Sequence, residues 1–213
     1  MNQNTSQSPF GRILASLILC TVAGLPLGTQ AQEWIVGGAV GTAKHHDYSV
    51  GGPVARRDDT DTAFRLFGGY LFSELHGVIG SFVDLGTPSY GGPAFGGFSD
   101  SLDADGIDVS YIAGFEPGDQ ERIRLFGTAG VLIWNQDVTY RDSTGRFDYG
   151  DGGTSFSIGI GTEINLDAAG TSAWGIHVGY QLFMDVGEAG NSGHENDRDT
   201  ISVGIAYRFG RRN

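Results

Sequence analysis

Thiols are almost absent from this chain. Its one cysteine, Cys20, lies in the opening segment. If that segment is removed on export no disulfide can form, so the fold has to be held by backbone pairing and burial. Lysine is just as scarce, Lys44 standing alone, and with a formal net charge of −12 the chain has no basic run that could track a phosphate backbone. No nucleic acid partner is expected. Also missing, after the opening segment, is any apolar run approaching the roughly 20 residues of a spanning helix. In a membrane such a chain can only cross as strands, because lipid offers no partner to an unpaired backbone group.

Glycine is what the chain has in excess. Its 36 glycines in 213 residues are more than twice the usual share of about 7%, and they sit inside the apolar segments as well as between them. Small residues there let backbones approach and let a sheet curve, as a narrow closed barrel requires. The opening segment runs from Arg12 through the apolar stretch Ile13–Leu27 to Thr29-Gln30-Ala31. These are the parts of a secretory signal peptide cut after Ala31, which divides the chain into a leader, 1–31, and one mature domain, 32–213. Lipidation at Cys20 is not expected, since bulky Leu19 precedes it and the apolar run continues beyond it.

The last alternating stretch sets the pattern for the rest. In Ile201–Phe209, Ile201, Val203, Ile205, Tyr207 and Phe209 fall on every second position, with Ser202, Gly204, Ala206 and Arg208 between them. That is a strand with one apolar face and one small or polar face, suited to a wall between lipid and water. An amphipathic strand of a soluble sandwich is the competing reading. Similar alternation predicts strands at Trp34–Thr42, Ala63–Ser73, His76–Leu85, Ile107–Phe115, Arg122–Trp134, Phe156–Leu166 and Ala173–Met184. Between them, long polar connections (Lys44–Asp61, Gly86–Gly106, Asn135–Gly153, Val186–Asp199) alternate with short ones (Glu74-Leu75, Glu116–Gln120, Asp167–Thr171). Gly86–Gly106 shows no periodicity and reads as a large exposed loop. The eight-strand count with this asymmetry is the pattern of an all-β, antiparallel, up-and-down transmembrane barrel, short turns in the periplasm and long loops outside.

Several blocks carry a family likeness. Ser202, Gly204, Tyr207 and Phe209 stand as polar-x-Gly-x-x-aromatic-x-aromatic, which resembles the terminal signal by which outer-membrane barrels are recognised by the barrel-assembly machinery. The tail Gly210–Asn213 departs from it, since that signal usually closes the chain. Arg65–Tyr70, Phe82–Gly86, Phe126–Gly130, Glu163, Tyr180-Gln181 with Val186-Gly187, and Ser202–Phe209 together resemble the OmpA-like transmembrane domain over nearly all of the mature chain. The resemblance implies an eight-stranded barrel in the outer membrane of a Gram-negative bacterium, embedded in lipid and lipopolysaccharide. With little sequence after Phe209 for the peptidoglycan-binding domain of larger members, a stand-alone barrel is expected. The ion-pair gate of the best-known members does not carry over, because Ile79, Ile112 and His177 stand where charged partners are expected. Glu163 with His177 remains as a pair.

By parity Arg65, Asp108, Arg124, Glu163, His177, Asp185 and Arg208 project into the lumen. They would either line a polar path for small solutes or pair with one another as internal buttresses, since isolated buried charges are too costly. Phe67, Phe126, Ile79, Ile112, Leu132 and Trp134 on the same face favour a filled interior. Asp103–Asp108 lacks the ligand spacing and closing glutamate of a calcium loop, and His45-His46 carries no metal-site spacing, so no metal and no cofactor is expected. Ser202, His177 and Glu163 stand on three neighbouring strands as a serine/histidine/acid set, but by parity all three point inward, away from lipid substrates, so no catalytic residues are expected. The functional expectation is an envelope-stabilising barrel whose loops are available to host or phage surfaces. A low-conductance porin-like channel is the first alternative and a soluble lipocalin-type carrier the second.

Overall fold

The computed structural model describes residues 32–46, 56–73, 76–92, 98–117, 123–166, 174–187 and 196–211. The expected leader, the short Asp167–Thr171 connection, and the acidic residues Glu188 and Glu195 with His194 lie outside the described residues. Eight long strands make the wall: β1 (Gln32–His45), β3 (Thr60–Leu71), β4 (His76–Asp84), β6 (Phe98–Phe115), β7 (Ile123–Asp142), β8 (Gly145–Asn165), β9 (Trp174–Val186) and β10 (Asn196–Arg211). Two short strands, β2 (Arg56–Asp58) and β5 (Ser89–Gly92), are added above the wall. Every neighbouring pair is antiparallel, and β1 closes the ring against β10 from Gln32↔Arg211 to His45↔Arg198. Among the described residues, no edge is left where these eight strands pair around the ring.

The period-two pattern decides which face is which. Along β1 the residues Trp34, Val36 and Val40 are exposed while Ile35, Ala39 and Ala43 are buried, and β10 exposes Ile201, Val203, Ile205 and Phe209. Large apolar side chains therefore cover the outside, and the buried positions face inward. The soluble alternative, with the apolar face inside, is excluded by this arrangement. Aromatic rings gather at the periplasmic end: Trp34 with Tyr70 (5.0 Å between centroids), Trp174 with Tyr207 (4.8 Å) and Tyr207 with Phe209 (6.0 Å). Amphipathic rings of this kind belong at the headgroup level.

Glycine has a specific use in this wall. A Cβ on Gly37 would stand 2.8 Å from Cε2 of Phe67, and one on Gly161 would stand 2.8 Å from Cε2 of Phe126. These two inward rings thus lie over a glycine of the neighbouring strand, which makes room for them in a barrel of this width.

The strands run further than their alternation suggested. Gly86–Gly106 is not an aperiodic loop: β5 and the first half of β6 lie within it, with Leu102 and Ala104 buried. The period is present in Leu102, Ala104 and Gly106, but small residues between aspartates carry too little apolar signal to show it. Asn135–Gly153 likewise continues β7 and β8 as a paired ribbon that turns only at Asp142–Gly145. β1 reaches His45, β3 starts at Thr60 and β10 at Asn196, shortening the other two connections.

Candidate functional site

The interior is built in layers. At the periplasmic end, Arg208 of β10 donates through Nη2 to Oε2 of Glu163 (2.7 Å) and makes an ion-pair contact through Nε to Oε1 (2.6 Å). Its Nη1 donates to Oε2 of Glu33 on β1 at 3.2 Å. Arg124 of β7 stands opposite Glu163 in the ladder, but none of its guanidinium nitrogens has a hydrogen-bond partner among the described residues, although the side chain is buried.

Above this layer lies an apolar plug of Ile35, Phe67, Leu71, Ile79, Ile112, Phe126 and Ala206. His177 is set into it between the rings of Phe67 and Phe126, each 5.0 Å away. The expected Glu163–His177 pair is corrected here. The two are cross-strand neighbours in register, yet Glu163 is bound by Arg208 and His177 Nδ1 has no hydrogen-bond partner among the described residues. Arg208 wins because a permanently charged fork matches a carboxylate at both oxygens, while an imidazole held between two rings does not.

The next layer is polar, with Asp108, Ser81, Ser110, Ser157 and Gln181 buried and Arg65 partly exposed. Arg65 of β3 donates to Oε1 of Gln181 (2.5 Å) and to Oγ of Ser81 (2.7 Å), and lies 3.6 Å from Oδ2 of Asp108. Asp108 of β6, 0% exposed, accepts hydrogen bonds from Ser157 (2.5 Å), Ser110 (2.9 Å) and Gln181 (3.3 Å). A buried carboxylate is tolerable only when its lone pairs are met in this way. A second apolar layer follows, of Val83, Leu85, Ala104, Leu132, Trp134, Phe183 and Val186. Trp134 donates to Ser155 (2.8 Å), which donates on to the carbonyl of Asp185 (2.8 Å). His45 contacts the carbonyl of Leu85 (3.3 Å), and Arg198 bonds Gln136 at the outer mouth.

Asp185 is the one expected lumen residue that the structure puts elsewhere. Its φ of 54° and the register shift between Asn196 and Arg198 on β10 break the alternation, so Asp185 is exposed and Val186 is buried in its place. Arg65, Asp108, Arg124, Glu163, His177 and Arg208 all face inward, with Arg124, Glu163 and Arg208 in one polar layer, Arg65 and Asp108 in the next, and His177 in the apolar plug between them. Sequence reasoning missed Glu33, Ser81 and Ser157 as members of these layers, and Gln136 with Arg198 at the mouth. Short hydroxyl side chains look like spacers until a carboxylate is placed against them.

Of the assembly-signal residues, Gly204 sits at a close approach of β10 to β1: an added Cβ would lie 2.6 Å from the Cα of Ala39. Tyr207 and Phe209 point outward into the aromatic belt, and Ser202 faces inward at the seam. Among the described residues no group of three or more metal-binding side chains comes together. Asp103 and Asp105 lie on a strand rather than in a loop.

A closed eight-stranded antiparallel barrel, apolar outside and filled with paired polar layers inside, defines the class of small outer-membrane β-barrels. The chain belongs to the family of the OmpA-like transmembrane domain, whose family model matches residues 29–213. It is 24% identical over 212 residues to outer membrane protein A of Serratia marcescens, covering 92% of this chain and 56% of that protein. The chain spans about half the length of the curated relatives it matches. Among solved structures it resembles Neisserial surface protein A (TM-score 0.54, 14% identity, 83% of this chain and 97% of that one). A major outer membrane protein from Thermus thermophilus shares the fold to a similar degree (TM-score 0.53, 13% identity, 84% of this chain and 100% of that one). The protein is an outer-membrane β-barrel with surface loops.

Proposed function

We propose that this barrel is mainly a structural element of the outer membrane, contributing to envelope integrity while its outer connections meet other surfaces. The observation that carries the reading is the filled lumen. Two apolar plugs, around Phe67 and Phe126 and around Leu132 and Phe183, are stacked between polar layers in which charges are mostly met by opposite charges. An eight-stranded wall leaves an interior just wide enough for side chains to fill, and both plugs occupy it. A conducting lumen, the alternative reading, finds less support because ions would have to pass both.

Export behind a leader of residues 1–31, insertion by the barrel-assembly machinery through Ser202, Gly204, Tyr207 and Phe209, and contact with lipopolysaccharide complete the proposal. The test is single-channel recording of the folded chain in a planar bilayer, beside Glu163→Gln and His177→Ala. A silent bilayer from protein shown folded by its heat-dependent gel mobility is the expected result. Discrete conductance steps altered by either substitution would replace the structural reading with a channel.

A further inference from the structure

Above the wall the sheet does not stay closed. β2, β5, Phe98–Asp105 of β6, Asn135–Asp142 of β7 and Gly145–Gly153 of β8 pair in that order as an open sheet. β8 meets β9 only from Ser157↔Phe183 downward, so among the described residues no strand pairs with the other side of Gly145–Gly153. A nine-residue edge offers about 30 Å of backbone donors and acceptors. Edges of this kind are usually blunted by charged side chains, proline or cover; Gly145–Gly153 contains no lysine or proline, and its Arg146 and Asp148 are paired with each other.

The side chains along this edge are arranged as an incomplete sheet. On the face continuous with the lumen stand Phe147 (52% exposed), Tyr149 (39%) and Asp151, the first of them in ring contact with Tyr140 of β7 at 6.4 Å. Asp151 accepts from the amide of Gly152 through Oδ1 at 2.8 Å, while its Oδ2 is buried and has no hydrogen-bond partner among the described residues. On the opposite face Gly150 leaves the carboxylate of its cross-strand neighbour Asp137 uncovered, with Oδ1 3.0 Å from where a Cβ would stand. Asp148 differs, being held by Arg146 (2.8 Å) and Thr139 (2.7 Å). The two exposed rings offer apolar surface to a further strand, and beyond them each face presents a carboxylate suited to a cation.

We infer that the Gly145–Gly153 edge of β8 is a strand-addition site for an extended polypeptide segment of another surface protein, one that places two alternating apolar residues and then a basic residue on one face. Backbone hydrogen bonds supply the affinity and the alternate side chains the selectivity. The net charge of −12 favours a basic partner at encounter. The inference rests on the long connections lying outside the membrane.

The test uses the folded full barrel in lipid nanodiscs, its fold verified first by heat-dependent gel mobility, so that failure of the barrel reading is seen separately. The probe is a fluorescent nine-residue peptide alternating threonine with valine, tyrosine and lysine, measured by anisotropy at physiological salt. Two further versions are N-methylated on one or the other set of alternate amides, and a fourth has the same composition scrambled. A docked strand turns only one set of amides to the edge. Binding by the parent peptide, lost about tenfold or more for one methylated set and kept for the other, is the expected result, with Asp151→Asn weakening it and Tyr149→Thr weakening it independently. Equal binding of both methylated peptides, equal binding of the scrambled one, or no binding at all would overturn the inference. So would self-association of the barrel through this edge that the peptide does not compete with, which would make the occupant a second copy.

Discussion

Replacing Arg208 by methionine should be among the most damaging single changes in the barrel. The guanidinium holds Glu163 at both oxygens, at 2.6 and 2.7 Å, and Glu33 at 3.2 Å, and Glu163 is only 3% exposed. Removing the cation leaves a buried carboxylate uncompensated, a loss of about 3–5 kcal/mol in comparable pairs. The lower end is expected here, about 3 kcal/mol, for two reasons. Glu33 is partly exposed and can rehydrate, and Arg124 stands across the ladder from Glu163 with no hydrogen-bond partner for its guanidinium among the described residues. The assay is reversible urea unfolding in phospholipid vesicles, followed by tryptophan fluorescence and by gel mobility without heating. If Arg124 takes over, Arg208→Met with Arg124→Leu should cost more than the single changes summed. Arg208→Met with Glu163→Gln should recover most of the loss, because the charge left stranded is then gone. A loss below about 1 kcal/mol for Arg208→Met, the range of an exposed ion pair, would refute the argument that this layer is sealed from water.

Gly161→Val should push against the ring of Phe126 and destabilise the barrel by about 1–3 kcal/mol in the same titration, with Phe126→Ala in the same chain restoring part of it. Phe209→Glu puts a charge into the periplasmic aromatic belt and into the final strand, and should reduce the heat-modifiable form recovered from outer membranes; normal insertion would count against the terminal signal. At the ribbon tip the Thr144 hydroxyl first, then the amides of Thr144 and Gly145, hold the Asp142 carboxyl below its ordinary range. A depressed folded value means stability that is present above the unfolded value of about 3.9 and lost as pH falls through the folded one. Hydrogen exchange at Thr144 and Gly145, corrected for its intrinsic pH dependence, should therefore show loss of protection only below about pH 4, and Asp142→Asn should remove that step.

The wall was legible because its signal is local. Ile201, Val203, Ile205, Tyr207 and Phe209 alternate with small and polar residues, and a strand has only two faces, so a choice of lipid side for the apolar one assigns every residue at once. Eight such segments and the long–short rhythm of their connections were enough for the topology. The local signal failed where residues were small or polar on both faces, as at Leu102–Gly106 and along the ribbon that ends at Asp142–Gly145.

What the chain alone determined is therefore the strand count, the inward and outward sets, and the inward placing of Arg65, Asp108, Arg124, Glu163, His177 and Arg208. What only the tertiary structure decided is who meets whom among them. Glu163 could face His177 by register and still be held by Arg208, because the stagger of the ring brings Arg208 of β10, the strand beyond β9, to Glu163, and no local pattern encodes that stagger. Asp185 shows the same limit within one strand. A single residue with positive φ flipped the alternation after it, since parity counts residues and the backbone need not.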